Sequence, residues 1–247
     1  KELTIEARMQ HPSHLDKGYR FVRFSLSISS FGGTSIAYIA IQDIHEQKES
    51  ELELLKRAQR DPLSQLFNRL SLEELITQHL TEEHDKGGAF FLIDIDLFKQ
   101  INDTYGHELG DQIIKHFSTL MQTFFPKESV IGRLGGDEFV VFLPRCTTQD
   151  PYEEMGNAFC RHVEKNKKAN IACTCSIGLS FFPTDGKTFQ NLYRCSDLSL
   201  YRSKEKGRNQ CTRYDKSMDR GKPLALTNHA WILDNLPDSI YLCDSKT

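Results

Sequence analysis

The chain has 247 residues, of which 38% are hydrophobic and 26% charged, with a formal net charge of −3. That length admits one large domain or one domain with partial neighbours, and the balance is that of an ordinary globular protein. The small negative charge leaves no electrostatic case for nucleic-acid binding. No apolar run approaches the ~20 residues that span a bilayer, and no segment reads as a signal peptide.

In chain order, residues 19–28 alternate as a strand does, Gly32-Gly33 turns the chain, and residues 35–41 read as a second strand. Residues 46–60 are charged and carry Leu52, Leu55 and Ala58 at helical spacing. A helix at 72–80, a strand at 89–95 and a helix at 110–124 follow. A hairpin is predicted next, with strands near 129–134 and 138–143. A helix at 151–165, a strand at 171–181, a helix at 188–206 and a short strand near 210–214 complete the series. Such alternation predicts an α/β sheet covered by helices. The seven cysteines form no Cys-x-x-Cys pair and have no zinc spacing. They read as buried free thiols, with Cys173 and Cys175 on one face of a strand, and a reducing cytoplasm is expected.

The most informative stretch is Arg-Leu-Gly-Gly-Asp-Glu-Phe-Val-Val-Phe-Leu at 133–143. Adjacent glycines tolerate the positive φ that two-residue hairpin turns require, and the apolar run after them has strand composition. Asp137 and Glu138 are thereby placed at a hairpin mouth beside a bare backbone, a setting that suits a hydrated divalent cation and the phosphates it carries. About forty residues upstream, the strand at 90–93 delivers Asp94 and Asp96 at its carboxyl end. Two residues apart, they face the same way in an extended segment. Lys99, Asn102, Asp103, Gly106-His107 and Gly110-Asp111 follow.

This ordered set, together with Asp61-Pro62-Leu63-Ser64, Leu66 through Arg69, Ser176-Ile177-Gly178 and Tyr201 with Lys204, Gly207, Arg208 and Asn209, resembles the GGDEF-domain diguanylate cyclases. The resemblance spans about residues 56–215. It implies a central sheet like that of nucleotidyl cyclases and polymerase palms, with the GGDEF hairpin at its centre. It also implies an activity: two GTP condensed into cyclic di-GMP and two pyrophosphates by attack of a 3′-hydroxyl on an α-phosphate. Phosphoryl transfer of this kind needs placement of the hydroxyl and neutralisation of phosphate charge, and two metals clamped by aspartates meet the second need.

By resemblance, Asp94, the carbonyl of Ile95 and Asp137 hold Mg²⁺ or Mn²⁺, two ions per active site. Asp137 or Glu138 helps to deprotonate the 3′-hydroxyl, with Asp137 favoured. Lys99, one turn past the strand end, and Lys204 with Arg208, at i and i+4 around the end of the last helix, reach the phosphates. Guanine presents donors, so its partners must accept, and Asn102 and Asp111 supply that acceptance. His107 supports the base pocket, and Phe98, Gly135 and Gly136 complete the substrate set. Capping of the following helix is the competing role for Asn102 and Asp111. One domain holds one GTP, so a homodimer is required.

The sequence departs from the family at Gln65, where glycine is usual, and only a local change of turn without left-handed backbone is expected. The Arg-x-x-Asp motif of product inhibition is replaced by Pro126-Lys127-Glu128-Ser129. Around this domain (61–220), residues 1–45 resemble the end of a PAS sensor domain and 46–60 a helical linker. Residues 221–247, with Trp231, resemble the opening of a second PAS domain or else form a terminal helix and tail. Rival readings of the whole are a catalytically silent GTP-binding module controlling an adjacent domain, and a purely structural link. No membrane contact is expected within this chain.

Overall fold

The computed structural model describes residues 2–9, 19–32, 34–82, 86–146, 150–168, 171 and 173–220. The segment 221–247, where a second PAS-like opening is expected, lies outside the described residues, as does Cys243.

Three antiparallel strands come first: β1 (Glu2–Met9), β2 (Arg20–Phe31) and β3 (Thr34–Asp43), in the order β1-β2-β3. The sequence predicts β2 and β3 but not β1. Helix α1 (His45–Ala58) follows. Its first turn meets this sheet, where Lys48 pairs with Glu6 at 3.1 Å and the His45 ring stacks on Phe21.

The larger unit holds a five-stranded mixed sheet in the order β5-β6-β4-β7-β8, with β4 (Gly88–Ile95), β5 (Val130–Gly135), β6 (Glu138–Pro144), β7 (Cys175–Phe182) and β8 (Cys211–Arg213). All its pairings are antiparallel except β7 with β8. The resemblance leads one to expect the hairpin β5-β6 at the centre of the sheet, and the structure puts β4 there instead. β7 pairs with the free side of β4, which leaves β5 as an edge strand.

Every residue of β4 is buried, and its alternation feeds two cores. Phe90 and Leu92 pack with α2 (Arg69–Glu82) and α6 (Phe189–Glu205). Phe91, Ile93 and Ile95 pack with α3 (Phe98–Tyr105), α4 (His107–Phe124) and α5 (Asp150–Lys165). The result is a three-layer sandwich. Helix α3 is an element that the sequence does not predict, and α4 begins before its predicted start. Gly106, with φ +86, separates the two helices, a backbone state glycine tolerates without steric cost.

α6 lies unusually close to β7. A Cβ on Gly178 would stand 1.9 Å from the carbonyl oxygen of Ser196, so only glycine admits the helix there. Ser180 Oγ meets Ser196 Oγ at 2.8 Å, and Ser203 Oγ donates to the Ile177 carbonyl at 2.7 Å. This approach lets the end of α6 reach the end of β4. The described cysteines are free thiols, and all are buried except Cys146, which is half-buried. Cys160 and Cys175 face each other at 3.8 Å, and burial first, then the neighbouring Cys160, pushes the Cys175 thiol far above its usual range. Strand β7 starts at Cys175, later than predicted, so Cys173 precedes it.

Candidate functional site

The predicted residues fall into two groups, one at the carboxyl end of β4 and one on the two helices that follow it. In the first, Asp94 lies opposite Glu138 in the β4-β6 register, and the Ile95 N–H donates to the carbonyl of Asp137 at 3.3 Å. The hairpin loop is Gly136-Asp137, since Gly135 pairs with Glu138. Of these two loop residues only Gly136 has positive φ (+52), the pattern of a type II′ turn. Gly135 has φ +149, and a Cβ on either glycine would meet nothing within 4 Å. The backbone conformation requires these glycines, and the space beside them is open.

Burial acts first on Asp94 and lifts its pKa to about 7; the Lys204 charge opposes this, while the charges of Asp137 and Glu138 add to it. Lys204 Nζ stands 2.8 Å from Asp94 Oδ2. The predicted reach of Lys204 thus ends, in this structure, on the carboxylate. Asp137 is also shifted upward: burial raises its pKa, and its own backbone N–H, Lys204 and Arg133 oppose the rise.

Arg133 anchors the turn. Its Nε and Nη2 donate to the Gly136 carbonyl at 3.0 and 2.8 Å, and its Nη1 donates to Asp61 Oδ1 at 3.0 Å. Burial opposes ionisation of Asp61, but hydrogen bonds from Ser64 and the Arg133 charge outweigh it and hold the carboxyl below its usual range. The sequence matches both residues to a motif without giving either a role. Their pairing spans 72 positions, and nothing local signals it. The neighbouring Gln65 departs from expectation. It adopts φ +60, keeping the left-handed backbone, with its side chain donating to the Pro62 carbonyl at 2.8 Å.

The second group joins α3 and α4. Asn102 lies inside α3 and Asp111 inside α4, so neither caps a helix and the capping alternative falls. A Cβ on Gly110 would stand 1.9 Å from Asn102 Oδ1 and 3.3 Å from the Phe98 ring. Asn102 Oδ1 is buried and has no hydrogen-bond partner, an acceptor left open where such atoms are normally satisfied. Lys99, His107 and Asp111 are exposed on the same two helices. Arg208 does not extend the helical register of Lys204. α6 ends at Glu205, and Arg208 sits beyond it with φ +65. Among the described residues no group of three or more His, Cys, Asp or Glu side chains could hold a metal ion. No described helix is long and apolar enough to cross a membrane.

A mixed sheet with an acidic glycine hairpin beside a second strand-end carboxylate defines a nucleotidyl-cyclase-like domain. Residues 58–210 match the family described as diguanylate cyclase, GGDEF domain, and the chain belongs to that family. It is 28% identical over 197 residues to the signaling protein YkoW of Bacillus subtilis, covering 76% of this chain and 24% of that protein. It is 32% identical over 160 residues to the diguanylate cyclase DgcP of Pseudomonas aeruginosa, covering 63% and 24%. Other relatives are named as cyclic di-GMP phosphodiesterases. The chain spans about a quarter of the length of these curated relatives. Among solved structures, the coiled coil and GGDEF domain of DgcB from Caulobacter crescentus, in complex with c-di-GMP, matches with a TM-score of 0.63 at 25% identity, covering 69% of this chain and 93% of that one.

Proposed function

We propose that the chain is a diguanylate cyclase that condenses two GTP into cyclic di-GMP and two pyrophosphates. The observation that supports this reading most is the docking of the Gly136-Asp137 turn on the Ile95 amide beside Asp94. It gathers two carboxylates that burial holds above their usual range, and the charges of Asp137 and Glu138 raise Asp94 further. A cation at this point relieves that repulsion. Mg²⁺ binds through one or two carboxylates and takes its remaining ligands from water and substrate phosphates. Two side chains plus the Ile95 carbonyl therefore fit Mg²⁺ or Mn²⁺, two per site. When bound, such ions neutralise phosphate charge and ease ionisation of the 3′-hydroxyl.

The chain's own residues do the rest. Asp94, the Ile95 carbonyl and Asp137 would hold the ions, and Asp137, in preference to Glu138, receives the hydroxyl proton. Lys99, Lys204 and Arg208 contact phosphates, and Lys204, now paired with Asp94, lies within reach of both a phosphate and that carboxylate. The open acceptor of Asn102 and the carboxylate of Asp111 receive guanine N1–H and N2–H₂, beside Phe98 and His107. Gly135 and Gly136 let phosphate approach the backbone. Two domains face to face in a homodimer supply the two halves of the product. Residues 1–45 act as the end of a PAS-like sensor and 46–60 as its linker, in a cytoplasmic signalling protein.

The phosphodiesterase names among the relatives favour a second reading, a silent GTP-binding module. Incubation of the purified chain with GTP and Mg²⁺ decides between them. Cyclic di-GMP is the expected product; tight GTP binding without product supports the silent module instead.

A further inference from the structure

Asp96 lies two residues beyond Asp94, yet the two carboxylates have different partners. Asp96 is 5% exposed. Its Oδ1 accepts from Ser176 Oγ at 2.6 Å, and its Oδ2 accepts from Thr174 Oγ1 at 2.7 Å and from the Asn209 N–H at 3.2 Å. Its own N–H donates to the Thr174 carbonyl at 2.9 Å. Asp96 thus ties the end of β4 to the start of β7 and to the turn after α6.

The Asn209 bond is the informative one. Gly207, Arg208 and Asn209 have φ of +111°, +65° and +50°. Successive non-glycine residues in this region are uncommon and persist only where the surroundings over-determine them. Here the Arg208 N–H donates to the Ser203 carbonyl at 3.0 Å, and the Asn209 N–H is held by Asp96. These two bonds fix the direction in which Arg208 leaves the end of α6.

We propose that Asp96 is a positioning residue for triphosphate binding: by holding the Asn209 amide, it sets the turn that presents Arg208 beside Lys204. This rests on the reading of Lys204 and Arg208 as phosphate contacts given above. A carboxylate suits the task because one oxygen can accept two donors while the other accepts a third.

Calorimetry on the full chain with Mg²⁺ tests it, using GTP and, separately, guanosine, which has no phosphates for Arg208 to meet. Asp96→Ala is expected to weaken GTP about 10-fold, the size of a coupling between neighbouring sites, and to leave guanosine unchanged. In an Arg208→Ala background the same change should have no further effect on GTP. Asp96→Asn should restore GTP affinity, since its amide oxygen can take Thr174 and Asn209 while its NH₂ donates to Ser176. If Asp96→Ala melts below the assay temperature, Asp96→Ser, whose hydroxyl falls short of Asn209, replaces it in the same cycle. Equal weakening of both ligands, or effects of Asp96 and Arg208 that multiply, would overturn the positioning role. A parent chain that binds guanosine but not GTP would overturn the phosphate site itself, and this inference with it.

Discussion

The two sheets differ in apolar pattern, a continuous run in β4 against alternation in β1, and in what covers them. In the larger one, β4 is buried along its whole length between helices on both faces. In the smaller one, the register sets Leu3, Leu26 and Ile39 side by side and then Ile5, Phe24 and Ile41, yet Ile39 is 69% exposed and Ile41 62%. Coverage changes the chemistry of charged groups. Asp94, at the end of the covered sheet, has its pKa lifted to about 7. Arg23 and Glu6, on the open sheet, form a partly exposed pair at 2.8 Å, of a kind that contributes little stability. Either pattern makes a strand, but coverage makes a site.

The largest effect should come from the mouth of the covered sheet. Asp137→Ala is expected to lower cyclic di-GMP formation by at least about 10²-fold, as loss of a group stabilising transition-state charge does. Its melting temperature should stay close to the parent's, because the turn lies outside both cores. Retained turnover by the folded variant would remove Asp137 from the site.

A matched pair of truncations tests coverage directly. Phe91→Ala, at a fully buried position, should cost about 3–5 kcal/mol in denaturant unfolding. Ile39→Ala should stay within about 0.5 kcal/mol, as surface changes do. Similar costs would break the comparison between the sheets.

Arg133→Ala removes charged hydrogen bonds to Gly136 and Asp61 and should cost about 1.5–3 kcal/mol, with a fall in turnover. Unchanged stability would show that the turn holds itself.

A smaller effect concerns pH without divalent cation. The folded pKa of Asp94 is raised, so its protonated form favours the fold. That contribution is fully present below the unfolded pKa near 3.8 and is lost as pH rises through about 7. Chemical denaturation between about pH 5 and 8 should show this loss in the parent and a flatter profile in Asp94→Asn.

The smallest expected effect is none. Ser129 turns its N–H and hydroxyl onto the Pro126 carbonyl at 3.0 and 2.6 Å, and Lys127 and Glu128 are exposed. Cyclic di-GMP should not inhibit through this segment; calorimetry showing product binding that is lost in a Lys127→Ala, Glu128→Ala double variant would reverse that expectation.

Much of this protein is legible in its sequence. The acids and glycines at 133–143, the strand at 89–95 and most helix positions follow from local composition and period, because turn chemistry and amphipathic spacing act over a few residues. Strand β1 and helix α3 escape that reading. β1 needs β2 as a partner, and α3 is a short helix between Leu97 with φ +57 and Gly106. Only the tertiary structure decided that β4 and not the hairpin is central, that Gln65 keeps a left-handed backbone, and that Asp94 and Asp96 part company. Lys204 reaches Asp94 from the far end of the domain. Arg133 reaches Asp61 across 72 positions of chain, and Asp96 reaches Asn209 across 113. The physical reason is that local preference fixes each strand and turn, while a buried carboxylate takes its partners from whatever the packed layers bring within hydrogen-bond distance.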